Sequence, residues 1–299
     1  SSYMKRPIFS VCLFLLAIVC IQGVTGIEWP VEKRLLTATF GENRKDHFHG
    51  GIDIGGGEQE VRPIADGEVL FTFEEGEYLD TLPCGLGSFI VIEHEKELRS
   101  VYAHLKPGSV ATGKETVKQS DVIGIIGDSG SSNGTHLHLA LIDREFDQVV
   151  NPLLILPPIP DKRFPEVRSV QLKEGQAFID VYNGITVPPG HAEVILDVRD
   201  PAENTRVYVP MAPFKVAGYA NGEELFQVNY EALQEKDGVL VLEKTGGKAF
   251  SQYYEGEWKI KPGSVQLNPG DVRLEISVQD FAGNEVNRMY LLKVREVAR

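Results

Sequence analysis

The sequence predicts an all-β protein, in which an antiparallel β-sheet domain is followed by a β-sandwich domain. Its first half contains short runs of β-branched residues separated by glycine-rich turns, a pattern typical of strands. No segment of that half has an apolar stripe of period 3.6 and helical length, so we predict an antiparallel, helix-poor sheet. The second half offers about eight further short strands. Turn signals at Asn183-Gly184 and Asn221-Gly222 lie between them, which favours a sandwich.

The composition is that of an acidic globular protein with room for about two domains. The chain has 299 residues, of which 42% are hydrophobic and 24% charged, so disorder, collagen and coiled coil are excluded. It carries 43 acidic against 30 basic residues, a formal net charge of -13, and the basic residues do not cluster. We therefore expect no nucleic-acid partner.

Residues 1–26 have the features of a secretory signal peptide. Lys5-Arg6 precedes an apolar run over 8–21, and residues 24–26 (Val-Thr-Gly) provide small side chains for a cleavage site. The run of about 14 residues is shorter than the roughly 20 that a spanning helix needs. We therefore expect cleavage after residue 26, no stable membrane span afterwards, and a periplasmic or extracellular location. A retained anchor and lipid attachment at Cys20 are the alternatives.

Residues 27–156 form the first predicted domain. Its predicted strands are 67–71, 88–93, 98–104, 122–126 and 136–142. The segment 157–165 that follows is rich in proline and cannot join a central strand. We therefore predict a linker at 157–165 and a second domain over 166–299.

The second domain is predicted to be a β-sandwich of the immunoglobulin-like kind. Val272–Asn284, where an alternating strand ends in Asp-Phe-Ala-Gly-Asn, resembles the last hairpin of bacterial immunoglobulin-like modules. This domain either stabilises or borders the first domain, or binds an envelope protein partner. Its predicted strands are 177–182, 192–198, 206–209, 226–230, 239–242, 258–261, 273–278 and 289–294.

A cluster of histidines in the first domain indicates metal chemistry. Six of the seven histidines lie between His47 and His138. His136 and His138 stand two apart in a predicted strand, so their side chains point to the same face. Asp53 follows His49 by four residues, and the intervening glycines favour a loop entering a strand over a helix. Imidazoles plus one carboxylate are a ligand set that catalytic zinc takes, and further unbound histidines can move protons.

The order of these residues resembles the LytM/lysostaphin-type zinc endopeptidases, peptidase family M23. That family has His-x-x-x-Asp near its start, then Tyr-Ala-His, then Gly-x-His-x-His. The matching residues here are His49 and Asp53, Tyr102-Ala103-His104, and Gly134-Thr135-His136-Leu137-His138. Framework segments at 63–69, 91–94 and 123–130 also agree, so the resemblance covers about residues 40–155.

The resemblance implies a secreted zinc metalloendopeptidase. It implies that His49, Asp53 and His138 bind Zn²⁺, while His104 and His136 act on the water and the tetrahedral intermediate. It implies cell-wall peptidoglycan as substrate, usually peptide stems or cross-bridges with small residues. His47 departs from the arginine that many members have, and the acidic loop 74–84 has few aromatic residues, which puts substrate preference in question.

Two other function classes compete with this hypothesis. Many relatives with this fold have lost ligands and act as binding partners that activate amidases, so a non-catalytic LytM-type module is the first alternative. The five retained residues favour activity over that alternative. Lipoyl-like and phosphocarrier barrels are the second alternative, because residues 65–69 resemble their glycine-punctuated strands. The secretion signal and the absence of a lipoylatable Asp-Lys or Met-Lys turn within residues 27–156 argue against them.

Overall fold

The computed structural model describes residues 26–76, 84–203, 205–242 and 247–296. Apart from Gly26, the predicted signal peptide lies outside these residues. Within them the regular structure is β except for two 3₁₀ turns and the four-residue α-helix Phe250–Tyr253 (α1). In the described ranges we find no helix with the length and apolarity to cross a membrane. The prediction of an all-β fold built on antiparallel sheets is confirmed.

Ten strands precede the proline-rich segment. They are β1 (Leu35–Ala38), β2 (Ile52–Gly55), β3 (Glu60–Val61), β4 (Gly67–Phe73), β5 (Ser88–Glu93), β6 (Leu98–Leu105), β7 (Thr116–Val117), β8 (Gly124–Ile125), β9 (Leu137–Asp143) and β10 (Gln148–Val150).

The main N-terminal sheet is an antiparallel ladder in the order β10-β9-β6-β5-β4-β7, and β2 pairs with β9 and with β1. β5 and β9 alternate strictly between buried and half-exposed residues, which is why one face carries the core and the other is free to carry a site. The core beneath this sheet includes Ile52, Tyr102, Leu137 and Leu139, each 0% exposed. The strands predicted at 67–71, 88–93, 98–104 and 136–142 are thus found with small changes of boundary, whereas 122–126 shortens to β8.

Thirteen strands of the described chain follow residue 165. They are β11 (Glu166–Glu174), β12 (Ala177–Asp180), β13 (Thr186–Val187), β14 (Gly190–Pro201), β15 (Pro210–Met211), β16 (Lys215–Ala220), β17 (Glu223–Asn229), β18 (Ala232–Lys236), β19 (Val239–Leu242), β20 (Lys248–Ala249), β21 (Lys259–Leu267), β22 (Gly270–Gln279) and β23 (Glu285–Val294).

Two five-stranded sheets of this part enclose a second hydrophobic core. One has the order β12-β11-β14-β15 with β21 also on β14, and the other has the order β13-β23-β22-β16-β17. Buried aliphatic residues from both sheets, such as Val194 and Leu274, fill the space between them. The strand predicted at 206–209 is wrong: the segment runs through a loop with Val207 71% exposed, because it offers no buried face to a sheet.

Each part of the chain contributes residues to the sheet or core of the other part. β18, β19 and β20 leave the sandwich and extend the N-terminal sheet, with β18 antiparallel to β10. In the other direction, Phe40 and Phe48 from the N-terminal part pack in the core of the sandwich. Residues 157–165 contain no helix or strand and connect the two parts. The strand at 239–242 is therefore found where it was predicted but belongs to the other sheet.

Candidate metal centre

Three side chains with nitrogen or oxygen donors converge on the free face of the N-terminal sheet. Asp53 on β2 is the direct cross-strand partner of His138 on β9, and His49 lies in the loop that leads into β2. His49 Nε2, Asp53 Oδ1 and His138 Nδ1 lie 3.0 to 3.1 Å from one another. These three residues form a group that could hold a metal ion.

The triangle of donor atoms has nearly the size of one face of a tetrahedral metal site. Ligands at about 2.0–2.1 Å from a tetrahedral ion are separated from each other by about 3.3 Å. The observed separations of 3.0 to 3.1 Å are close to that value. A set of two imidazoles and one carboxylate therefore fits such an ion, and a catalytic zinc held by three protein ligands would have a fourth position for water.

His49 is fixed in the tautomer that a ligand needs. Its Nδ1 donates to the backbone carbonyl oxygen of Thr39 at 2.8 Å, so the proton sits on Nδ1 and the Nε2 lone pair faces the triangle. The side chain is buried, and burial lowers its pKa to about 4. The imidazole is therefore neutral at neutral pH and available to a cation.

The two carboxylate oxygens of Asp53 have different partners: one belongs to the triangle, and the other binds the guanidinium of Arg44. Oδ2 accepts a hydrogen bond from Arg44 Nη2 at 2.7 Å, which leaves Oδ1 for the triangle. Burial acts to raise the pKa of Asp53, but its interactions with the neighbouring His49 and His138 imidazoles outweigh burial and hold this pKa well below its usual range. Asp53 is therefore a carboxylate across the physiological range.

His104 and His136 form a second pair beside the triangle. Their ring centroids are 4.8 Å apart, and the ring of His104 is 6.0 Å from that of His138. His104 Nδ1 donates to the carbonyl oxygen of Ser129 at 2.9 Å, and His136 Nδ1 donates to that of Gly134 at 2.8 Å. Each ring thus keeps Nε2 for other partners, and His136 Nε2 lies 3.7 Å from Asp53 Oδ1.

The backbone of His104 is in an unusual conformation. β6 pairs with β9 so that Ala103 is opposite His138, and His104 is the next residue along β6. His104 has a φ of 59°, which is uncommon for a residue other than glycine and recurs at functional sites. Its backbone N–H donates to Leu86, and its carbonyl oxygen accepts from Gly127, so neighbouring loops hold the conformation in place. Burial, with the nearby His136 imidazole adding to it, lowers the pKa of His104.

The remaining histidines of the cluster lie apart from the triangle. His47 is exposed and its Nδ1 lies 2.6 Å from Asp46 Oδ1, although it borders the same cleft. His94 is buried elsewhere, with its two ring nitrogens bonded to Asp66 O and Ser100 Oγ. The structure thus brings together the five residues singled out from the sequence and leaves these two outside.

Comparison with known families agrees with this geometry. The model of peptidase family M23 matches residues 47–152, which include all five site residues. Residues 47–152 are a peptidase family M23 domain. A second family model matches residues 164–295 without a description of function.

Curated relatives match less than half of the chain. The DD-carboxypeptidase/endopeptidase Mpg of Neisseria meningitidis serogroup B is 35% identical over 115 residues, which are 38% of this chain and 24% of that protein. The murein hydrolase activator NlpD of Escherichia coli is 35% identical over 131 residues, 44% of this chain and 31% of that protein. The chain therefore spans about a quarter to a third of the length of these relatives.

Solved structures also resemble part of the chain. A zinc containing peptidase from Vibrio cholerae has 24% sequence identity and a TM-score of 0.36, over 45% of this chain and 41% of that chain. The catalytic domain of lysostaphin from Staphylococcus simulans has 21% identity and a TM-score of 0.31, over 36% of this chain and 78% of that chain.

The site of the M23 domain opens into a cleft of about 1620 Å³ that the C-terminal part helps to build. The N-terminal walls carry the five site residues with the loops at 42–47 and 131–135. The C-terminal wall includes Phe250, Tyr254 and Trp258, which lie about a hundred residues after the M23 domain. The guanidinium of Arg199 lies 5.1 Å from the ring centroid of Trp258 and so braces that wall.

Sequence reasoning missed several residues of this site. Arg44 and Thr39 support the triangle from the loop before β2, and Ser129 holds His104 through its carbonyl oxygen. A carbonyl acceptor has no side-chain signature, so Thr39 and Ser129 could not be identified from residue type. Arg44 differs from them, because its positive side chain complements the carboxylate of Asp53, nine residues later. That charge is the one signal by which sequence reasoning could have found it.

Proposed function

We propose that this protein is a zinc-dependent endopeptidase that cleaves peptide bonds of peptidoglycan. The observation that carries the proposal is the triangle of His49, Asp53 and His138 with the pair His104 and His136 on its open side. The M23 match and the name of the Neisseria relative, a DD-carboxypeptidase/endopeptidase, agree with it. Since peptidoglycan lies outside the cytoplasmic membrane, the proposal places the protein in the periplasm or outside the cell.

The three ligand residues would hold Zn²⁺ through His49 Nε2, Asp53 Oδ1 and His138 Nδ1. Zinc at such a site supplies Lewis-acid chemistry, because it acidifies a water to a pKa of about 7 and polarises a carbonyl. Arg44 holds Oδ2 of Asp53 by a hydrogen bond, so that Oδ1 stays in the triangle.

His104 and His136 would move protons and stabilise charge. In both rings Nδ1 is committed to a backbone carbonyl, so Nε2 is the atom that gives or takes the proton. Burial lowers the pKa of His104, which favours its neutral form as the group that accepts a proton from the attacking water. His136, half-buried and 3.7 Å from Asp53 Oδ1, is placed to donate to the developing oxyanion. The accepted proton would then pass to the leaving amine.

The cleft suits an extended peptide on a larger polymer. It is open rather than enclosed, and its walls come from both parts of the chain. The aromatic side chains of Phe250, Tyr254 and Trp258 offer apolar contact opposite the proton-moving pair. We therefore propose residues 27–156 as the peptidase domain, 157–165 as the linker and 166–299 as an immunoglobulin-like β-sandwich that completes the substrate groove.

A non-catalytic activator of another murein hydrolase is the second candidate. The similarity to NlpD, whose name states that role, is as high in identity as the similarity to Mpg. An activator would use the cleft to bind a protein and would need no proton transfer by His104 and His136.

One experiment separates the two candidates. The full chain, loaded with one equivalent of Zn²⁺, is incubated with purified peptidoglycan, and released peptides and new amino termini are measured by mass spectrometry. We expect release by the unmodified protein, loss after chelation, and recovery when Zn²⁺ is returned. His104→Ala is the matched control, because it keeps the three ligands. No release by the protein alone, together with stimulation of a separate murein amidase by both proteins, would establish the activator instead.

A further inference from the structure

A second group of metal-binding side chains lies where the linker meets the β-sandwich. Asp161 is in the linker, Asp200 is near the end of β14, and Asp280 directly follows β22. One carboxylate oxygen from each residue lies within 4.8 Å of the others. These residues come from three distant parts of the sequence and share no residue with the M23 site.

Asp200 is the member of this group that needs an explanation. Its side chain is 5% exposed, and its Oδ1 is buried with no hydrogen-bond partner among the described residues. Within that part of the chain, no lysine or arginine side chain forms an ion pair with any of the three carboxylates. Burial, together with the charges of the acids Asp280, Asp161 and Glu42, raises the pKa of Asp200 to about 8. A buried acceptor without donor or cation is costly, so this oxygen is suited to a missing positive charge.

The other two carboxylates are already oriented by the backbone. Asp161 Oδ1 accepts from the N–H of Arg163 at 2.8 Å. Asp280 Oδ1 accepts from the N–H of Asn284 at 2.8 Å, and Oδ2 accepts from Asn284 Nδ2 at 2.7 Å. Asn284 Nδ2 also donates to the carbonyl oxygens of Asp161 and Arg163, so the linker is held beside the turn at 280–284. Acidic oxygens are thus fixed around Asp200 before any ion binds.

The donor set selects a hard divalent cation. All the donors are oxygens, which suit Mg²⁺, Ca²⁺ or Mn²⁺ rather than the nitrogen-preferring metals. Ca²⁺ accepts six to eight oxygens at about 2.3–2.6 Å in flexible geometry, whereas Mg²⁺ requires an octahedron at about 2.0–2.1 Å. The three oxygens lie within 4.8 Å of one another, and the larger, more flexible coordination shell of Ca²⁺ accommodates such a group more readily than the strict octahedron of Mg²⁺. Glu203, which shares the N–H of Arg163 with Asp161, adds a fourth carboxylate on the solvent side.

We propose that Asp161, Asp200 and Asp280 form a Ca²⁺ site that fastens the linker to the β-sandwich. The ion would stabilise the ionised form of the buried Asp200 and tie residue 161 to the ends of β14 and β22. Because Phe281, next to Asp280, packs against the N-terminal core, the bound ion also stabilises the contact between the two parts of the chain.

The test is Ca²⁺ titration of the metal-free full chain by isothermal calorimetry and thermal melting. We expect one Ca²⁺ per chain, binding at least tenfold tighter than Mg²⁺, and a rise in Tm on the order of 5 °C when Ca²⁺ is about 100 times its Kd. Asp200→Asn and Asp161→Asn should each weaken Ca²⁺ binding at least tenfold and abolish the shift in Tm. The matched control is Asp271→Asn, an exposed carboxylate on β22 that should respond like the unmodified chain.

Two further variants, His138→Ala and Asp161→Asn, test where the Ca²⁺ ion binds. His138→Ala should bind Ca²⁺ unchanged, because it alters only the M23 site; loss of Ca²⁺ binding there would place the ion at that site and overturn the proposal. If Asp200→Asn fails to fold by circular dichroism, Asp161→Asn decides, since it changes a half-buried linker residue. The assignment is wrong if the unmodified chain binds no Ca²⁺, if Mg²⁺ binds equally well, or if Asp161→Asn binds Ca²⁺ normally.

Discussion

Thr39 connects His49 to the C-terminal part of the chain. Its carbonyl oxygen accepts from His49 Nδ1 at 2.8 Å, while its hydroxyl donates to the carbonyl oxygen of Ala212 at 2.8 Å. Glu42 reinforces the link, because its Oε1 accepts from the backbone N–H groups of both Thr39 and Ala212. The orientation of a metal-ligand candidate is therefore coupled to the packing between the two parts.

The pH dependence of the free energy of unfolding should reveal the raised pKa of Glu42. Burial raises its pKa from 4.5 to about 7, although Arg44 and two backbone N–H groups favour the charged form. With a folded-state pKa above the unfolded one, its contribution to stability is complete below pH 4.5 and is lost as the pH rises through about 7. Glu42→Gln cannot ionise, so its stability relative to the unmodified protein should increase by roughly 2–3 kcal/mol from pH 5 to pH 8.

Urea unfolding of both proteins at pH 5 and pH 8, with Zn²⁺ saturating, measures this difference. Glu68→Gln, a change in the exposed part of β4, is a control that should show no such trend. An equal stability difference at the two pH values would mean that Glu42 ionises normally in the folded protein.

Replacing a ligand should remove both the metal and the activity. In His138→Ala only His49 and Asp53 remain, and two protein ligands do not hold a catalytic zinc. We expect Zn²⁺ content to fall from about one per chain to below a tenth, measured by elemental analysis after dialysis. His47→Ala, which changes an exposed neighbour, should keep its zinc. Full occupancy in His138→Ala would refute the ligand assignment.

Replacing the proton-moving pair should separate metal binding from catalysis. His104→Ala and His136→Ala leave the triangle intact, so we expect Zn²⁺ to stay bound while kcat falls by roughly 10²-fold or more in each. Zinc analysis, thermal melting and peptide release on the same samples provide the three readouts. Unchanged release from both variants would eliminate these roles, and zinc loss from both would make the residues ligands.

The aromatic wall from the C-terminal part should affect substrate binding more than chemistry. Trp258 borders the cleft but is not part of the triangle or the histidine pair. We expect Trp258→Ala to raise KM about tenfold and change kcat less than about threefold, because it removes contact area without touching the reacting atoms. Tyr182→Ala, an exposed aromatic of the sandwich outside the cleft, is the matched control. A fall in kcat at constant KM would contradict a binding role.

The sequence predicted the site better than its surroundings. The alternation of a strand puts His136 and His138 on one face, and the glycines after His49 exclude a helix, so local rules suffice for these residues. Pairing of Asp53 with His138 depends on strand register between segments 85 residues apart, which only the family resemblance implied. The position of Trp258 opposite them depends on how two cores pack, and no local pattern encodes that packing.

The positions of strands were likewise predicted better than the pairing between strands distant in sequence. Strand 88–93 was predicted to the residue because a run of β-branched and aromatic residues follows directly after a glycine. The strand at 239–242 was also located, but alternation cannot say which sheet a strand will join. Strand β18 has only two buried residues, Ala232 and Leu233, and its pattern was too short to predict.

The pairing of β10 with β18 has a consequence for the order of events during synthesis. Val150 pairs with Ala232, so the edge of the N-terminal sheet stays open until about 80 more residues have been made. At 5–20 residues per second this interval lasts roughly 4–16 s on the ribosome. During that time the nascent chain exposes an unpaired strand and the side chains of Phe40 and Phe48, whose partners have not yet emerged. A chaperone that meets the emerging chain, on either side of the membrane, would therefore encounter an incomplete sheet rather than a completed first domain followed by a second.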